Sequence, residues 1–542
     1  MNTEKSNNQY LALTIGPVIK TLLEARKTRE LWAASYLLST LMKYLTENLD
    51  PDGKHLLIPK IPDEVKKATL YGAGIYPDRL FMEADGWTEE QINAEIDKSL
   101  NSLSKDCLLK EEAGEVNAAA AFWKQFFRIR YALIPLEDIQ EGKLSIELSP
   151  FLDTLELEDT CMSNEPKKGY DFLDKLFADI FSTDLVKGLR GDNRGSYSEI
   201  LTKSALFPAT HEFASFGLFE QEPKLYLQLN KDTKEDENEK FYQEIETNEI
   251  YKPLKKHFKP RHKYFCIVQA DGDNIGKAIQ QLNDVEQYGK FSETLANYGK
   301  EAAEIIDEYG GKPVYIGGDD LLFLAPVRSA KGSVFDLMHA LDQKFPKDDL
   351  HPTASLSFGL NIVYYKFPLF EAISDAYGIL KKAKDYCGKD AVSFRFTKHS
   401  GNYFEGVFSK TMLQEIAAAS NAFESERHDE RAKMVSSLIF KLATLEKLIE
   451  SVAKSTENNA DEFKERLANL FNSFFNEWGE DSEFARQREA TEKLLLQAFR
   501  EKDAIGENWL KLFYAAMRLI QFIVSPSETN QYDTENIAAT AG

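Results

Sequence analysis

The chain has 542 residues, which is too long for a single hydrophobic core and predicts about three or four domains. Its apolar content is 43%, its charged content is 28%, no apolar run reaches the length of a membrane span, and residues 1–8 lack the apolar core of a signal peptide. These features exclude a membrane protein and lead us to expect a cytoplasmic one. The net charge of −22, from 88 acidic and 66 basic residues, disfavours free binding to RNA, so any RNA contact must be local or arranged by other subunits.

The four cysteines are scattered and form no Cys-x-x-Cys pair; they are Cys107, Cys161, Cys266 and Cys387. This spacing argues against a disulfide framework and against a structural zinc site. We expect each of them to be a reduced, packed thiol.

Residues 1–150 are predicted to form a first α+β domain. A short strand at 10–14 ends at Gly16-Pro17, and one long helix then runs to about Leu49. One face of that helix should be buried, because its apolar residues recur at helical spacing: Leu31, Ala34, Leu38, Leu41 and Leu45. The pattern continues as a strand near 76–81, helical segments at 88–123 and a strand at 128–135.

Residues 151–261 are predicted to be mainly helical and to include an exposed acidic tract at 231–240. A basic run then precedes the next strand and is either a solvated linker or a surface that faces phosphates. It consists of Lys252, Lys255, Lys256, His257, Lys259, Arg261, His262 and Lys263.

A strand-like run at 264–270 ends in the sequence Asp-Gly-Asp-Asn-Ile-Gly-Lys, residues 271–277, and a helical pattern follows. A buried strand that delivers Asp271 and turns through Gly272 into a helix suits one half of a metal site. Free N–H groups at the start of that helix can hold phosphate oxygens.

The second acidic stretch, residues 314–324, reads Val-Tyr-Ile-Gly-Gly-Asp-Asp-Leu-Leu-Phe-Leu and predicts a β-hairpin with an acidic tip. Gly317 and Gly318 have no Cβ and let a ligand lie against the main chain. Asp319 and Asp320 are hard oxygen ligands that suit Mg²⁺ or Mn²⁺. Alone, such a tetrapeptide is also compatible with an ordinary polar turn.

Residues 262–400 resemble the palm domain of nucleotide polymerases and GGDEF-type nucleotide cyclases. The resemblance rests on the Asp271 strand, the Gly-Gly-Asp-Asp hairpin, the strand at 355–359, and the later helix and strand around 380–392. Residues 8–150 repeat the order strand, helix, strand, strand, helix, strand. This first copy has no acidic pair at a glycine turn, so we expect it to be structural or to hold a second nucleotide.

After the palm, residues 401–528 are predicted to be a helical bundle and residues 529–542 a disordered tail. The apolar positions of the bundle include Met434, Leu438, Phe440, Leu442, Leu445 and Leu448. The pair His428-Asp429 lies in this region and is interpreted as a surface pair rather than a nuclease centre.

Two stretches, residues 14–39 and 76–81, resemble the first palm of one family in particular. It is the polymerase-cyclase large subunit of type III CRISPR RNA-guided effector complexes, Cmr subtype (III-B). Relatives often begin with an HD nuclease domain and carry a four-cysteine zinc element. This chain opens at the first palm and has no cysteines at 201–208, so we expect neither DNA cutting nor zinc.

The resemblance implies two Mg²⁺ or Mn²⁺ ions held by Asp271 and Asp319, with Asp320 completing the cluster. It implies ATP as the substrate. The triphosphate would contact Gly272, Asp273, Asn274, Ile275, Gly276, Gly317, Gly318 and Lys384, and the lysine would reach its γ end as a point charge.

The resemblance also implies partners and a product. The partners are other protein subunits, a guide RNA and a target RNA that switches on synthesis of a signalling nucleotide. The product in most relatives is cyclic oligoadenylate, while some join AMP to S-adenosylmethionine. Two other readings stay open, a free-standing diguanylate cyclase and a structural subunit whose acidic cluster is idle.

Overall fold

The first sheet has four strands in the order β2-β3-β1-β4, all antiparallel to their neighbours. In the computed structural model, the described residues are 8–68, 70–108, 113–136, 144–157, 176, 180–189, 194–201, 207–232, 238–282, 284–386, 388–424, 428–456, 459–474, 482–505 and 509–525. The strands are β1 Asn8–Gly16, β2 Leu56–Ile58, β3 Arg79–Glu83 and β4 Arg128–Leu136.

Helices cover this sheet. They are α1 Val18–Leu23, α2 Thr28–Leu49, α3 Asp63–Lys67, α4 Glu89–Cys107, α5 Ala113–Phe126 and α6 Leu144–Leu157. The predicted inner face of α2 is confirmed, since all five of its apolar residues are buried. Thr88 caps α4 as its sequence predicts, because its hydroxyl accepts from the Gln91 N–H while the Gln91 side chain accepts from the Thr88 N–H. Helix α6 crosses residue 150 and packs on β1 and β4.

The prediction of one continuous helix from Pro17 to Leu49 is wrong. The chain breaks between α1 and α2, and the Glu30 carboxylate accepts hydrogen bonds from the N–H groups of Arg26 and Lys27. Glu30 therefore supplies partners for amides that a new helix leaves unpaired at its start.

The middle region contains four helices among its described residues: α7 Thr210–Gln221, α8 Pro223–Asp232, α9 Asn238–Thr247 and α10 Lys252–His257. Helix α7 packs on strands of the second sheet. Part of the predicted acidic loop, residues 233–237, lies outside the described residues. Cys107 and Cys266 are buried free thiols, while Cys161 and Cys387 also lie outside the described residues.

The second sheet has six strands in the order β12-β11-β10-β5-β7-β6. These are β5 Tyr264–Asp273, β6 Lys312–Gly317, β7 Asp320–Pro326, β10 Ser355–Tyr364, β11 Ala391–Thr397 and β12 Tyr403–Ser409, with a small separate hairpin at β8 Arg328–Ser329 and β9 Gly332–Ser333. Its helices are α11 Ile275–Ile279, α12 Val285–Tyr309, α13 Val334–Lys344, α14 Lys347–Leu350 and α15 Leu369–Lys384. The α+β fold class with two palm-like sheets is confirmed.

The C-terminal region is a helical bundle, as predicted, but it begins later than residue 401 because β12 adds a sixth strand beside β11. Of the apolar positions named above, Leu438 and Leu442 are buried, whereas Phe440 and Leu448 are exposed. The helices are α16 Lys410–Phe423, α17 His428–Thr444, α18 Glu446–Ser455, α19 Ala460–Phe474, α20 Ser482–Arg500, α21 Lys502–Ile505 and α22 Trp509–Val524. The predicted tail, 529–542, and the side chains of His428 and Asp429 lie outside what the structure describes.

Backbone contacts join the two sheet domains. The Ile316 N–H donates to the Gly74 carbonyl at 2.8 Å, and the Ser35 hydroxyl donates to the Val314 carbonyl at 2.9 Å. Strand β6 is an edge strand of the second sheet, so the segment around Gly74 covers backbone groups that would otherwise be unpaired. This seam holds the first domain against the acidic hairpin.

Candidate active site

Strand β5 lies in the middle of the second sheet, between β7 and β10. Its apolar part is fully buried, and the strand extends far enough to place Asp271 opposite Ser357 on β10. A central strand flanked on both sides is a rigid support, and Asp271 emerges at its end.

The Gly-Gly-Asp-Asp sequence forms the tip of the β6–β7 hairpin, as predicted. Gly317 pairs with Asp320, so Gly318 and Asp319 form a two-residue turn. Gly318 has φ +71°, a conformation that glycine adopts without strain. A Cβ on Gly317 would lie 1.7 Å from the hydroxyl oxygen of Tyr315, so only glycine fits beneath that ring.

The three predicted carboxylates meet. A Cβ on Gly272 would lie 2.6 Å from the Asp319 carboxylate, which shows how closely the strand end approaches the hairpin tip. Burial and repulsion by Asp271 raise the pKa of Asp319 to about 6. The side chains of Asp320 and Asp271 are within hydrogen-bonding reach, and the surrounding protein together with Asp319 raises the pKa of Asp320. Crowded carboxylates of this kind favour a bound cation.

Lys384, at the end of α15, is the fixed cation of the site. Its ammonium lies 2.5 Å from the Asp271 carboxylate and 2.9 Å from that of Asp273, and it donates to the carbonyls of Asp271 and Gly272 at 2.8 Å each. In this structure the Lys384 ammonium therefore lies against the end of β5, whereas the sequence predicted that it reaches a γ-phosphate. It neutralises the strand end instead.

Asp273 is fully buried and supports Lys384 from below. Although burial opposes ionisation, hydrogen bonds from Lys384 and Ser357 lower the pKa of Asp273. Its second carboxylate oxygen accepts from the hydroxyls of Ser355 and Ser357 at 2.7 Å each. An ionised carboxylate with these partners is a structural anchor, and it points away from any exposed ligand.

Asn274 turns the chain from β5 into the five-residue helix α11. It adopts a left-handed conformation at φ 60°, and its side-chain amide donates to the Thr353 carbonyl at 2.9 Å. Of the residues that follow, Ile275 is buried and Gly276 is exposed. The backbone therefore passes from the acidic cluster to the surface within three residues.

The donor set is all carboxylate oxygen, which is what Mg²⁺ and Mn²⁺ select. Among the described residues, no group of three His, Cys, Asp or Glu side chains is already arranged to hold a metal ion. Magnesium commonly takes only one or two protein carboxylates and completes its shell with phosphate oxygens and water. Asp271, Asp319 and Asp320 fit that mode of binding.

An apolar cavity of about 140 Å³ opens beside the hairpin tip and is shared by both domains. The first domain contributes Ile58, Pro59, Ile61, Val65, Leu70, Ile75 and Pro77, and the second contributes residues of α11 and α12. Gly317, Gly318 and Asp319 form one end of the cavity. Ligand sites commonly combine an apolar wall with a few polar groups in this way.

Two residues near the cluster were missed by the sequence analysis. Asp78, from the first domain, is close enough to raise the pKa of Asp320 further. Burial and the Asp320 carboxylate raise the pKa of Tyr377, on α15, to about 12. Asp78 lies in the stretch predicted as a strand, directly before β3, and its position next to a strand start was the available signal.

The basic run at 252–263 is divided between an exposed first part, with Lys252, Lys255 and Lys256, and a buried second part. Lys259 and Arg261 are buried and pair with Glu424 at 2.7 and 3.1 Å, and His262 is also buried. Lys263 pairs with Glu246 at 3.0 Å. A phosphate-facing role is wrong for the buried members, because their charges are already matched inside the protein.

The described residues include no helix that is both long and apolar enough to cross a membrane. Two family models match the chain: the second palm domain of Cas10/Cmr2 over residues 264–393, and the N-terminal region of the CRISPR-associated protein Cmr2 over residues 10–108. The first match contains all three clustered carboxylates. The second covers β2, β3 and most of β1, together with the segment of the first domain that lines the cavity.

Among curated proteins, the chain is similar to CRISPR system Cmr subunit Cmr2 of Pyrococcus furiosus, with 29% identity over 168 residues. That match covers 26% of this chain and 19% of the relative. Among solved structures, it is similar to a chain of the type III-B Cmr-beta complex in its apo state, with TM-score 0.53, 14% identity and coverage of 82% of this chain and 76% of that one.

A chain of the same complex bound to cognate target RNA matches equally well, with TM-score 0.53, 13% identity and coverage of 83% and 77% of the two chains. At these identities the structural matches establish the shared fold. Two family models in the expected order, a curated relative and that fold agree with one another: residues 10–108 and 264–393 of the chain match the Cas10/Cmr2 family of CRISPR-associated proteins.

Proposed function

We propose that this chain is a metal-dependent nucleotidyltransferase that uses ATP. The observation that carries the proposal is the meeting of Asp271, Asp319 and Asp320, from a strand end and a hairpin tip, at one end of an apolar cavity. The carboxylates would hold the cations, and the cavity would receive the base. A polar turn without such chemistry would not need acidic groups crowded enough to raise the pKa of Asp319 and of Asp320.

The carboxylates of Asp271, Asp319 and Asp320 would hold two divalent cations, which lower the pKa of an attacking hydroxyl and stabilise the departing pyrophosphate. Gly272, Gly317 and Gly318 would let the triphosphate lie against the backbone.

The N–H groups after Asn274 face the same end of the sheet, so Ile275 and Gly276 would contact its phosphates. Lys384 neutralises the strand end, and Asp273 keeps that lysine charged and in place.

The cavity would hold an adenine base of the substrate. Its wall is almost entirely aliphatic, and Ser292 on α12 is its one hydroxyl-bearing lining residue. A flat base gains from burial against such a surface, while Asp319 at the cavity end fixes which end of the nucleotide carries phosphate. Because both domains line the cavity, their relative position would control access to it.

We further propose that the chain works in the cytoplasm as the large subunit of a type III effector complex, with other protein subunits and a guide RNA. A relative of the same fold belongs to a complex solved with cognate target RNA. The net charge of −22 fits an arrangement in which other subunits make most of the RNA contacts. Binding of target RNA would switch on synthesis of a signalling nucleotide for antiviral defence.

The product is proposed to be cyclic oligoadenylate or an AMP conjugate of S-adenosylmethionine. The test is to incubate the assembled complex with ATP, S-adenosylmethionine, Mg²⁺ and target RNA, and to identify products by mass spectrometry. A double variant, Asp319→Ala with Asp320→Ala, should give none. In a parallel incubation with GTP alone, a cyclic dinucleotide product would instead indicate a diguanylate cyclase, and a complex that makes no product in either incubation would indicate an idle subunit.

A further inference from the structure

The Asp273–Lys384 pair beneath the catalytic carboxylates is held by a turn that follows α15. The Asp390 N–H donates to the Asp273 carboxylate at 3.0 Å, on the same oxygen that the two serine hydroxyls contact. Lys384 in turn contacts the Asp271 carboxylate at 2.5 Å. A shift of the Asp390 backbone would therefore reach a catalytic side chain through three contacts, by way of Asp273 and Lys384.

That turn has an unusual backbone. Gly388, Lys389 and Asp390 all have positive φ, at 84°, 59° and 48°. A left-handed residue other than glycine costs about 1–2 kcal/mol, so such a run persists only when neighbouring groups hold it. We call residues 385–390, apart from the undescribed Cys387, the palm–bundle turn.

The C-terminal bundle contacts the palm–bundle turn at both ends. At one end, the Tyr386 hydroxyl lies 3.3 Å from the carboxylate of Glu501, which also accepts from the Ser409 N–H at 3.0 Å. At the other end, the buried Lys410 ammonium lies 4.0 Å from the Asp390 carboxylate. Lys410 is fixed there by Asp342 at 2.9 Å and by the ring of Phe358.

The contact between Asp390 and Lys410 is incomplete. One carboxylate oxygen of Asp390 is buried and makes no hydrogen bond, although a cation lies 4.0 Å away. A small rotation of the turn would close this distance and would also move the N–H that anchors Asp273. A buried, unsatisfied oxygen beside a cation favours such a second position.

We propose that Lys410 and Glu501 are positioning residues that set the catalytic strand end through the palm–bundle turn. The C-terminal bundle thereby controls where Lys384 holds the Asp271 carboxylate. This inference goes beyond the proposed function, and its catalytic consequence rests on that function. Its structural part does not.

Lys410→Met and Tyr386→Phe test the structural part, with Lys347→Met as the matched control. Lys347 and Lys410 both pair with Asp342, so either variant leaves that carboxylate one partner, but of the two only Lys410 lies within 4.0 Å of the Asp390 carboxylate, while Lys347 acts on it from further away. Hydrogen exchange of the full chain, followed in the peptide that covers 385–392, should be at least about tenfold faster in the first two variants. Unchanged exchange in both variants, or an equal increase in Lys347→Met, would overturn the proposal.

The catalytic part is tested in the assembled complex by steady-state kinetics. Lys410→Met should lower kcat about tenfold while leaving the KM for ATP within about twofold, since the nucleotide contacts remain, and Lys410→Arg should restore kcat. A higher KM with unchanged kcat would contradict a positioning role. If the native complex makes no product although the turn responds as expected, the proposed function fails and the structural coupling stands.

Discussion

Four strands have the same order in both sheet domains, but the two domains place different residues at the ends of those strands. Strands β2-β3-β1-β4 of the first correspond to β6-β7-β5-β10 of the second. Thr14 is the last residue of β1 paired with β3, and Ala270 is the last residue of β5 paired with β7. The next residue is a buried Ile15 in the first domain and Asp271 in the second.

The hairpin tips differ even more. In the second domain, two residues, Gly318 and Asp319, join the strands. In the first domain, residues 59–78 make the same connection, and they reach across to β6 and line the cavity. The second domain has a short acidic tip. The first domain has a long apolar connection that forms the opposite wall of the cavity. The comparison teaches that the first copy contributes a wall of the cavity at this end of the molecule.

The largest effect is expected from adding one methyl group at corresponding strand ends of the two domains. Gly272 and Gly16 both follow the position just compared, but a Cβ on Gly272 would overlap Asp319 and Ile275 at 2.6 Å, whereas a Cβ on Gly16 would meet only Val18 N at 4.0 Å. Gly272→Ala should lower the rate of nucleotide transfer about a thousandfold, because it displaces a cation ligand. Gly16→Ala should leave the rate within about threefold.

The measurement is kcat of the assembled complex with each variant, with circular dichroism to verify the fold. Comparable losses of kcat in the two variants would show that both strand ends tolerate a methyl group equally poorly. They would also show that chemistry is not confined to the second domain.

The next largest effect concerns how the second domain is tied to its neighbours. Burial alone would raise the pKa of Glu424, but Arg261 and Lys259 lower it to about 2 from its usual 4.5. The first domain has no part in this ion pair and is held to β6 by the contacts around Gly74. Glu424→Gln should lower the free energy of unfolding by about 3 kcal/mol, since a shift of one pKa unit corresponds to about 1.4 kcal/mol.

The sign of the pH dependence follows from the lowered pKa. The stabilisation is fully present above pH 4.5 and is lost as the pH falls from there through 2. Thermal melting between pH 7 and pH 3 should therefore show a gap between native protein and Glu424→Gln that narrows with acid. Glu246→Gln, which removes a more exposed partner of Lys263, should change the melting point little. A constant gap across this range would exclude the ion pair as the cause.

How far sequence predicts this structure depends on how local each feature is. The strand with Asp271 and the Gly-Gly-Asp-Asp turn could be read directly, because alternation and turn chemistry act over a few residues. The burial of Arg261 could not, because its partner Glu424 is more than a hundred residues further along the chain. The same holds for β12, which is a strand only because β11 offers it an edge.

A smaller effect is expected from filling the shared cavity. Ala296, on α12, lines it, while the next residue, Asn297, is exposed on the same helix. Ala296→Phe should raise the KM for ATP about tenfold, because the new ring occupies the space proposed for the base, and Asn297→Phe should not. Nucleotide titration of the assembled complex measures both. Equal KM values for native protein and Ala296→Phe would place the base elsewhere.

The smallest predicted effect tests the seam between the two copies. The buried Ser35 hydroxyl donates to the Val314 carbonyl at 2.9 Å, whereas the Thr40 hydroxyl, on the same helix, donates to the Tyr36 carbonyl of its own helix at 2.8 Å. Ser35→Ala should lower the free energy of unfolding by about 1 kcal/mol, because it leaves a buried carbonyl of β6 without that partner. Thr40→Ala should cost less than about 0.5 kcal/mol, since its bond is made within one element.

Denaturant titration of the two variants gives both values. If Thr40→Ala lowers the free energy of unfolding as much as Ser35→Ala does, the loss comes from the helix that carries both residues and not from the contact with β6. If the difference holds, the Ser35 hydroxyl adds to the backbone contacts that hold the first domain against the strand that leads to Asp319. The two copies are then coupled at the place where their hairpins differ most.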